Sequence, residues 1–350
     1  MTTDGISATL AGKVILVTGG TGSFGHQIVR ELLALKAASI RIYSRDEKKQ
    51  YEMAISYRSR PEIQFTIGDV RELDRTRDAM RGVDIVFNAA ALKQVPSCEF
   101  APFEAVQTNI VGANNVRRAA IEAGVKMVIA ISTDKAVKPV NVMGMTKAIQ
   151  ERIMLDPTYS GGNTKFVCVR YGNVLGSRGS VIPLFYNFIR KGLPLPITHP
   201  QMTRFQLTLR EAVQLVLWAS VKGESGDLWV QKMPAARVCD LGQALALGLR
   251  GEENYPTTII GMRPGEKLHE VLVSEEEMWR ATELEKYYVI SSWAKVRGKA
   301  RPEGQALAEY SSAETHQLTR EELLRMLEAE GWFGPMSEAK AAHGVEISEG

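Results

Sequence analysis

Val14-Ile15-Leu16-Val17 runs directly into Thr18-Gly19-Gly20-Thr21-Gly22-Ser23-Phe24-Gly25, and this stretch decides the fold. Four aliphatic residues in a row, closed by a glycine cluster, predict a short strand buried on both faces. From Gly22 onward the chain reads as a helix. Glycines at 19, 22 and 25 let the backbone approach a pyrophosphate, and the helix N-terminus offers it free N–H groups and a partial positive charge. A glycine-rich turn alone says little. The strand before it and the helix after it are the context that makes it a dinucleotide loop.

Working outward, short β-branched runs alternate with amphipathic stretches, the pattern of a parallel sheet covered by helices. Further strands are predicted at Ile40–Tyr43, Gln64–Ile67, Val83–Phe87, Met127–Ile131 and Lys165–Arg170, with a helix from about Glu104 to Ala123. The expected class is therefore α/β: a Rossmann-like doubly wound parallel sheet, with ligands at the carboxyl ends of its strands. This domain is assigned to residues 8–176, with later segments returning to it. After Asn173 the pattern loosens around Pro183, Pro194, Pro196 and Pro200. Helices at Glu211–Val221 and Val238–Leu249 and isolated strands at Asp227–Gln231 and Thr257–Ile260 suggest a smaller α+β substrate-binding lobe over 177–332. A last helix lies within Gln317–Gly331, with Thr319 as N-cap and Glu322 three residues on. Residues 333–350 read as a flexible tail.

Composition excludes several classes. The 350 residues are 45% hydrophobic and 24% charged, with a net charge of +3 and no basic stripe, so no nucleic-acid partner is expected. Cys98, Cys168 and Cys239 are scattered and odd in number, which predicts neither a disulfide frame nor a metal site. The longest apolar stretch, Ala212 to Val221, is about half of the roughly 20 residues a spanning helix needs. With no basic segment and apolar core of a leader at the N-terminus, a cytoplasmic protein without a membrane span is expected.

The tip of the second strand chooses the cofactor, because an acid there holds the ribose of NAD and a cation accommodates the extra phosphate of NADP. Here Ser44 and Arg45 come first and Lys48 follows one turn on, which favours NADP. Asp69, after the third strand, falls near the adenine, and Ala89-Ala90-Ala91, after the fourth, run beside the nicotinamide ribose. Lys147 stands four residues after Met143 on one helix face, where its ammonium can bond that ribose and lower nearby pKa values. Thr133, Asp134 and Lys135 cap the fifth strand at its carboxyl end. An adjacent acid and amine can divide proton transfer, one donating while the other accepts.

Together these blocks resemble the extended short-chain dehydrogenase/reductases, and within them the UDP-N-acetylglucosamine 4,6-dehydratases. The resemblance runs through Thr18–Gly25, Tyr43–Glu47, Asn88–Pro96, Thr108-Asn109, Ser132–Ala136, Val169–Val174, Gly176–Val181, Met202–Phe205 and Arg263–Glu270. Short-chain enzymes normally carry tyrosine four residues before the lysine. Met143 occupies that position here, as in one branch of the family, and methionine cannot exchange a proton. The resemblance implies that Lys135 removes the sugar C5 proton, that Asp134 protonates the departing C6 hydroxyl, and that Thr133 bonds the C4 oxygen. Asp134, directly or through water, is the favoured acceptor of the C4 hydroxyl proton. It adds Thr21, Ser23, Phe24, Val70, Asn109 and Tyr171 to the cofactor contacts. Lys93, Asn173, Arg178, Val181 and Thr203 would meet the sugar nucleotide, Arg204 and Arg263 would clamp its diphosphate, and Glu266 its ribose. The implied substrate is UDP-N-acetylglucosamine and the implied assembly a homo-oligomer, a dimer or higher, with a hexamer as one form. The chain departs from the family near Tyr310-Ser311-Ser312, where Thr315 and His316 replace a more usual asparagine. Retention at C5 is favoured over inversion. The rivals are a nucleotide-sugar epimerase or reductase of the same superfamily and, more remotely, a non-catalytic NADP-sensing protein.

Overall fold

The structure, a computed structural model, describes residues 4–157, 162–177, 179–299 and 307–333. A nine-stranded sheet forms its centre. Its parallel part is built from β1 (Val14–Thr18), β2 (Ser39–Ser44), β3 (Ile63–Ile67), β4 (Ile85–Asn88), β5 (Met127–Ile131) and β6 (Lys165–Arg170), in spatial order 3-2-1-4-5-6. The order reverses between β1 and β4, so the switch point lies beside the glycine loop, where ligands of doubly wound sheets bind. β5 is buried along its whole length, as a central strand covered on both faces must be.

The strand expected at 227–231 is not isolated. Leu228–Gln231 pairs parallel with β6, and antiparallel Tyr287–Ile290 and Ala281–Glu283 extend the sheet beyond it. Likewise the helix Leu209–Lys222 packs Ala212, Val213, Leu215 and Val216 into the core of the main sheet. Chain after residue 176 therefore serves both layers. A second core gathers Ile182, Phe185, Tyr186, Leu245, Leu323 and Trp332 around the helices Val181–Arg190, Val238–Arg250 and Arg320–Ala329. The last of these begins at Thr319, whose capping box with Glu322 is formed as the sequence predicts. Arg178 and the tail from 334 lie outside the described residues.

The helix expected over 104–123 is interrupted. Pro102–Ala105 leads into a π-helical turn at Val106–Val111 before Gly112–Glu122 resumes regular α-helix. Within that turn Asn109 is pinned to the main chain of Leu92, accepting from its N–H at 2.8 Å and donating to its carbonyl at 3.0 Å. A π turn commonly marks a place where function overrides regular helix.

Candidate active site and cofactor groove

Two adjoining cavities follow the carboxyl edge of the sheet, sharing Gly19, Ala90 and Ala91. The larger, about 510 Å³, reaches Ser132, Thr133, Lys135, Met143 and Lys147, while the smaller, about 110 Å³, is bounded by Ser44, Arg45, Asp69 and Val70. The floor between β1 and β4 is held by Thr18, whose hydroxyl donates to Asn88 and accepts from Ala90 N–H. A Cβ at Gly19 would lie 2.9 Å from the Ala89 carbonyl oxygen, and one at Gly25 only 2.0 Å from that of Gly20. Such a close backbone cradle at a helix start fits a dinucleotide pyrophosphate.

At the tip of β2 the Thr21 and Ser44 hydroxyls bond each other at 3.0 Å. Asp46 is turned away from the cavity: it caps its helix by accepting from Lys49 N–H and pairs with the Lys49 ammonium at 2.7 Å. Arg45 instead faces Asp69, at 3.4 Å. Arg71 also binds Asp69 and, with its hydrogen bonds, holds that carboxyl below its usual pKa although burial opposes the shift.

Ionisable side chains gather where β5 ends. Asp134 is completely buried in a 3₁₀ turn, Asp134–Ala136. Its Oδ1 accepts from the Thr133 hydroxyl at 2.7 Å, from Lys135 N–H at 2.9 Å and from the Lys135 ammonium at 3.1 Å. Its Oδ2 has no hydrogen-bond partner among the described residues. Burial alone would lower the pKa of Lys135, but the charges of Asp134 and Glu270 outweigh it and raise the value above the ordinary lysine range. Lys135 therefore rests as an ammonium. Lys147 differs: burial brings its pKa down to about 8, opposed by Glu151, and its Nζ donates to the Ile131 carbonyl at 2.6 Å and to Gln150 at 2.8 Å. Its helix, Val142–Met154, is capped by Asn141 and presents Met143 to a small apolar cluster with Cys98 and Ala105. Methionine packs where tyrosine was expected.

Several expected contacts are placed elsewhere. The Lys48 side chain is 79% exposed and lies near Glu52 outside the cavity. Asn109 stands behind the wall, bonding Leu92 and Thr146. Thr203 is buried between His269 and Ser312, and Val181 heads its helix without lining the groove. Arg204 does not present an open fork, because its guanidinium donates to the carbonyls of Thr203, Lys267 and Leu268. Arg263 is exposed, with Glu266 accepting from its backbone N–H. By contrast Lys93, Asn173 and Tyr171 line the groove, as do Ser23, Phe24 and Gly22. Burial strongly raises the Tyr171 phenol's pKa, so it remains protonated.

Sequence reasoning passed over Ser132, Ser180 and Glu270. Ser132, Ser180 and Asn173 are among the residues lining the groove, and their buried hydroxyls and Oδ1 have no partner among the described residues. Glu270 closes the matched Arg-Pro-Gly-Glu-Lys block, and only its burial beside Lys135 shows its place. Tyr310 and Thr315, in the divergent segment, both hold the main chain of Met233, and Ser312 supports Glu270.

Comparisons with known proteins agree with this architecture. The family described as polysaccharide biosynthesis protein matches residues 15–292. A UDP-glucose 4-epimerase of Rickettsia akari is 46% identical over 327 residues, covering 90% of this chain and 95% of its own. The crystal structure of Pen from Bacillus thuringiensis superposes with a TM-score of 0.84 at 36% identity, over 92% of this chain and 99% of that one. A dTDP-glucose 4,6-dehydratase from Streptomyces venezuelae, solved with NAD bound, shares the fold with a TM-score of 0.66 at 21% identity, covering 73% and 86% of the two chains. No helix among the described residues is long and apolar enough to cross a membrane. The chain has the extended short-chain dehydrogenase/reductase fold and belongs to the polysaccharide biosynthesis protein family.

Proposed function

We propose that this protein is an NADP-dependent nucleotide-sugar 4,6-dehydratase acting on UDP-N-acetylglucosamine and retaining configuration at C5. One observation carries the reading: a buried, hydrogen-bonded Asp134–Lys135 pair stands at the end of β5, beside the groove. Epimerisation at C4 needs a group for the C4 hydroxyl proton but no acid–base pair for C5 and C6. The name of the Rickettsia akari relative favours the second reading, a UDP-sugar 4-epimerase. Against it, Met143 stands where a proton-exchanging side chain would serve that reaction, while elimination has two ionisable groups available.

In this reading the cofactor, held by the glycine loop, Ser44, Arg45 and Lys147, would supply reversible hydride chemistry between C4 and C6 of the sugar. Thr133, whose hydroxyl already donates to Asp134, accepts from the C4 hydroxyl and passes the proton to Asp134. The proton on Asp134 then goes to the C6 hydroxyl, which leaves as water, while Lys135 removes the C5 proton and later restores it. Lys147 stays beside the cofactor ribose, its charge reduced in cost by the Ile131 carbonyl and Gln150. Lys93, Asn173 and Ser180, which line the groove, supply polar groups for the sugar diphosphate. NADP is preferred to NAD because Ser44 and Arg45 flank the smaller cavity while Asp46 is engaged as a cap.

The test is product analysis in D₂O with UDP-N-acetylglucosamine and, separately, UDP-glucose. The dehydratase gives a 4-keto sugar lighter by one water and deuterated at C5, its configuration read by NMR. A product of unchanged mass, epimeric at C4, would refute dehydration and establish the second reading.

A further inference from the structure

Glu270 is an acid that the chemistry above leaves unused. It is 3% exposed, and its backbone is fixed on both sides by Ser312, whose hydroxyl accepts from Glu270 N–H and whose N–H donates to the Glu270 carbonyl. Three cations surround its carboxylate without reaching hydrogen-bond distance. Lys135 Nζ and Arg204 Nε lie 3.7 Å from Oε1, and Lys267 Nζ lies 3.8 Å from Oε2. Arg204 and Lys267 are already engaged with carbonyl oxygens, Lys267 with that of Val137 at 2.6 Å. Oε2 has no hydrogen-bond partner among the described residues. A buried acceptor left open in this way is costly unless the site uses it.

Lys135 poses the matching problem. As the C5 base it must be an amine, yet two carboxylates, Asp134 and Glu270, face its ammonium, with Arg204 and Lys267 opposing them. We propose that Glu270 is the positioning residue of Lys135: it holds the ammonium beside the groove and takes up its proton, freeing the amine for C5. This rests on the dehydratase reading. The sequence of events balances. Asp134 first receives the C4 hydroxyl proton, which removes one of the two charges holding the ammonium. Released from Asp134, the Lys135 ammonium closes the 3.7 Å gap to hydrogen-bond distance of Glu270 and passes it a proton, leaving amine and carboxylic acid, a neutral pair that burial favours over two charges. Lys135 takes the C5 proton and returns it after hydride transfer, and Glu270 finally gives its own proton back to Lys135. C4 oxidation is thereby forced to precede C5 deprotonation.

The experiment measures Lys135 directly, by competitive acylation of cofactor-free protein at several pH values with mass-spectrometric readout of the labelled lysine. In Glu270→Gln the ammonium loses a counter-charge, its pKa falls by about one unit, and labelling below that pKa rises roughly tenfold. The kcat for dehydration falls about a hundredfold with KM for the sugar nucleotide within about threefold, and in single turnover C5 exchange falls more than C4 oxidation. Glu270→Asp, which keeps the charge but withdraws it by one methylene, gives an intermediate labelling rate and covers the case in which the Gln variant does not fold. Wild-type labelling of Lys135 in either folded variant overturns the proposal. Raised labelling in a protein whose wild type does not dehydrate the sugar overturns the dehydratase reading and leaves the Glu270–Lys135 link standing.

Discussion

Gly144→Ala should separate activity from stability. Gly144 lies in the first turn of the helix that carries Lys147, its N–H donating to Asn141 at 2.8 Å. A Cβ there would sit 2.2 Å from the Lys135 carbonyl oxygen, whereas ordinary contact begins at 3.4 Å, so helix and catalytic turn must part by more than an ångström. Helix propensity favours alanine by about 1 kcal/mol, and overpacking costs about 1–3 kcal/mol. The net loss is thus at most about 2 kcal/mol, worth only a few degrees in Tm for a protein of this size. Displacing a catalytic group by about 1 Å, in contrast, costs on the order of a hundredfold in rate. The assay pairs kcat for the sugar nucleotide with a thermal melt and a cofactor titration, and Gly5→Ala serves as control, since its Cβ meets only Val221 at 3.7 Å. Wild-type kcat in Gly144→Ala, or a loss of activity fully explained by unfolding at the assay temperature, would refute the reasoning.

Three further outcomes follow from the same geometry. Lys147 has a folded pKa of about 8 against an ordinary 10.5, so between those values the unfolded chain binds the extra proton and this group's contribution makes stability rise with pH. Lys147→Met should therefore gain most over wild type near pH 7 and lose that advantage by pH 10, and parallel Tm–pH curves would contradict it. Arg170 bridges Glu151 and Glu277 in the interior and donates to the Leu272 carbonyl, tying the lysine helix to the segment that follows Glu270. Arg170→Met leaves two buried acids uncompensated and should cost about 3–5 kcal/mol in thermal or urea unfolding, partly recovered by adding Glu151→Gln and Glu277→Gln; a loss under about 1 kcal/mol would not fit. Met143→Ala opens a gap against Cys98 and Ala105 and should lower stability by about 2 kcal/mol or more while kcat stays within about tenfold, because methionine moves no proton; a complete loss of activity in folded protein would contradict this.

Local rules carried the sequence a long way. β5 and β6 lie where their apolar runs predict, because a strand buried on both faces needs an unbroken run of that kind. The Thr319 capping box is likewise legible, since its partners are three residues apart. The π turn at Val106–Val111 was not, because a side chain reaching to Leu92 holds it. The surroundings of Arg204 have a similar cause: the expected diphosphate clamp donates to the carbonyls of Lys267 and Leu268, which lie more than sixty residues away in the chain.

By itself, the sequence determined the dinucleotide loop, the parallel alternation and the adjacency of Thr133, Asp134 and Lys135, since each depends on spacing within one strand–turn–helix unit. Tertiary structure decided what surrounds them. It returned Leu228–Gln231 to the main sheet and carried Glu270 from a distant block to 3.7 Å from Lys135. The charge state of that lysine depends on Asp134, its neighbour in the chain, and on Glu270, which only folding brings beside it, and periodicity along the chain carries no record of the second.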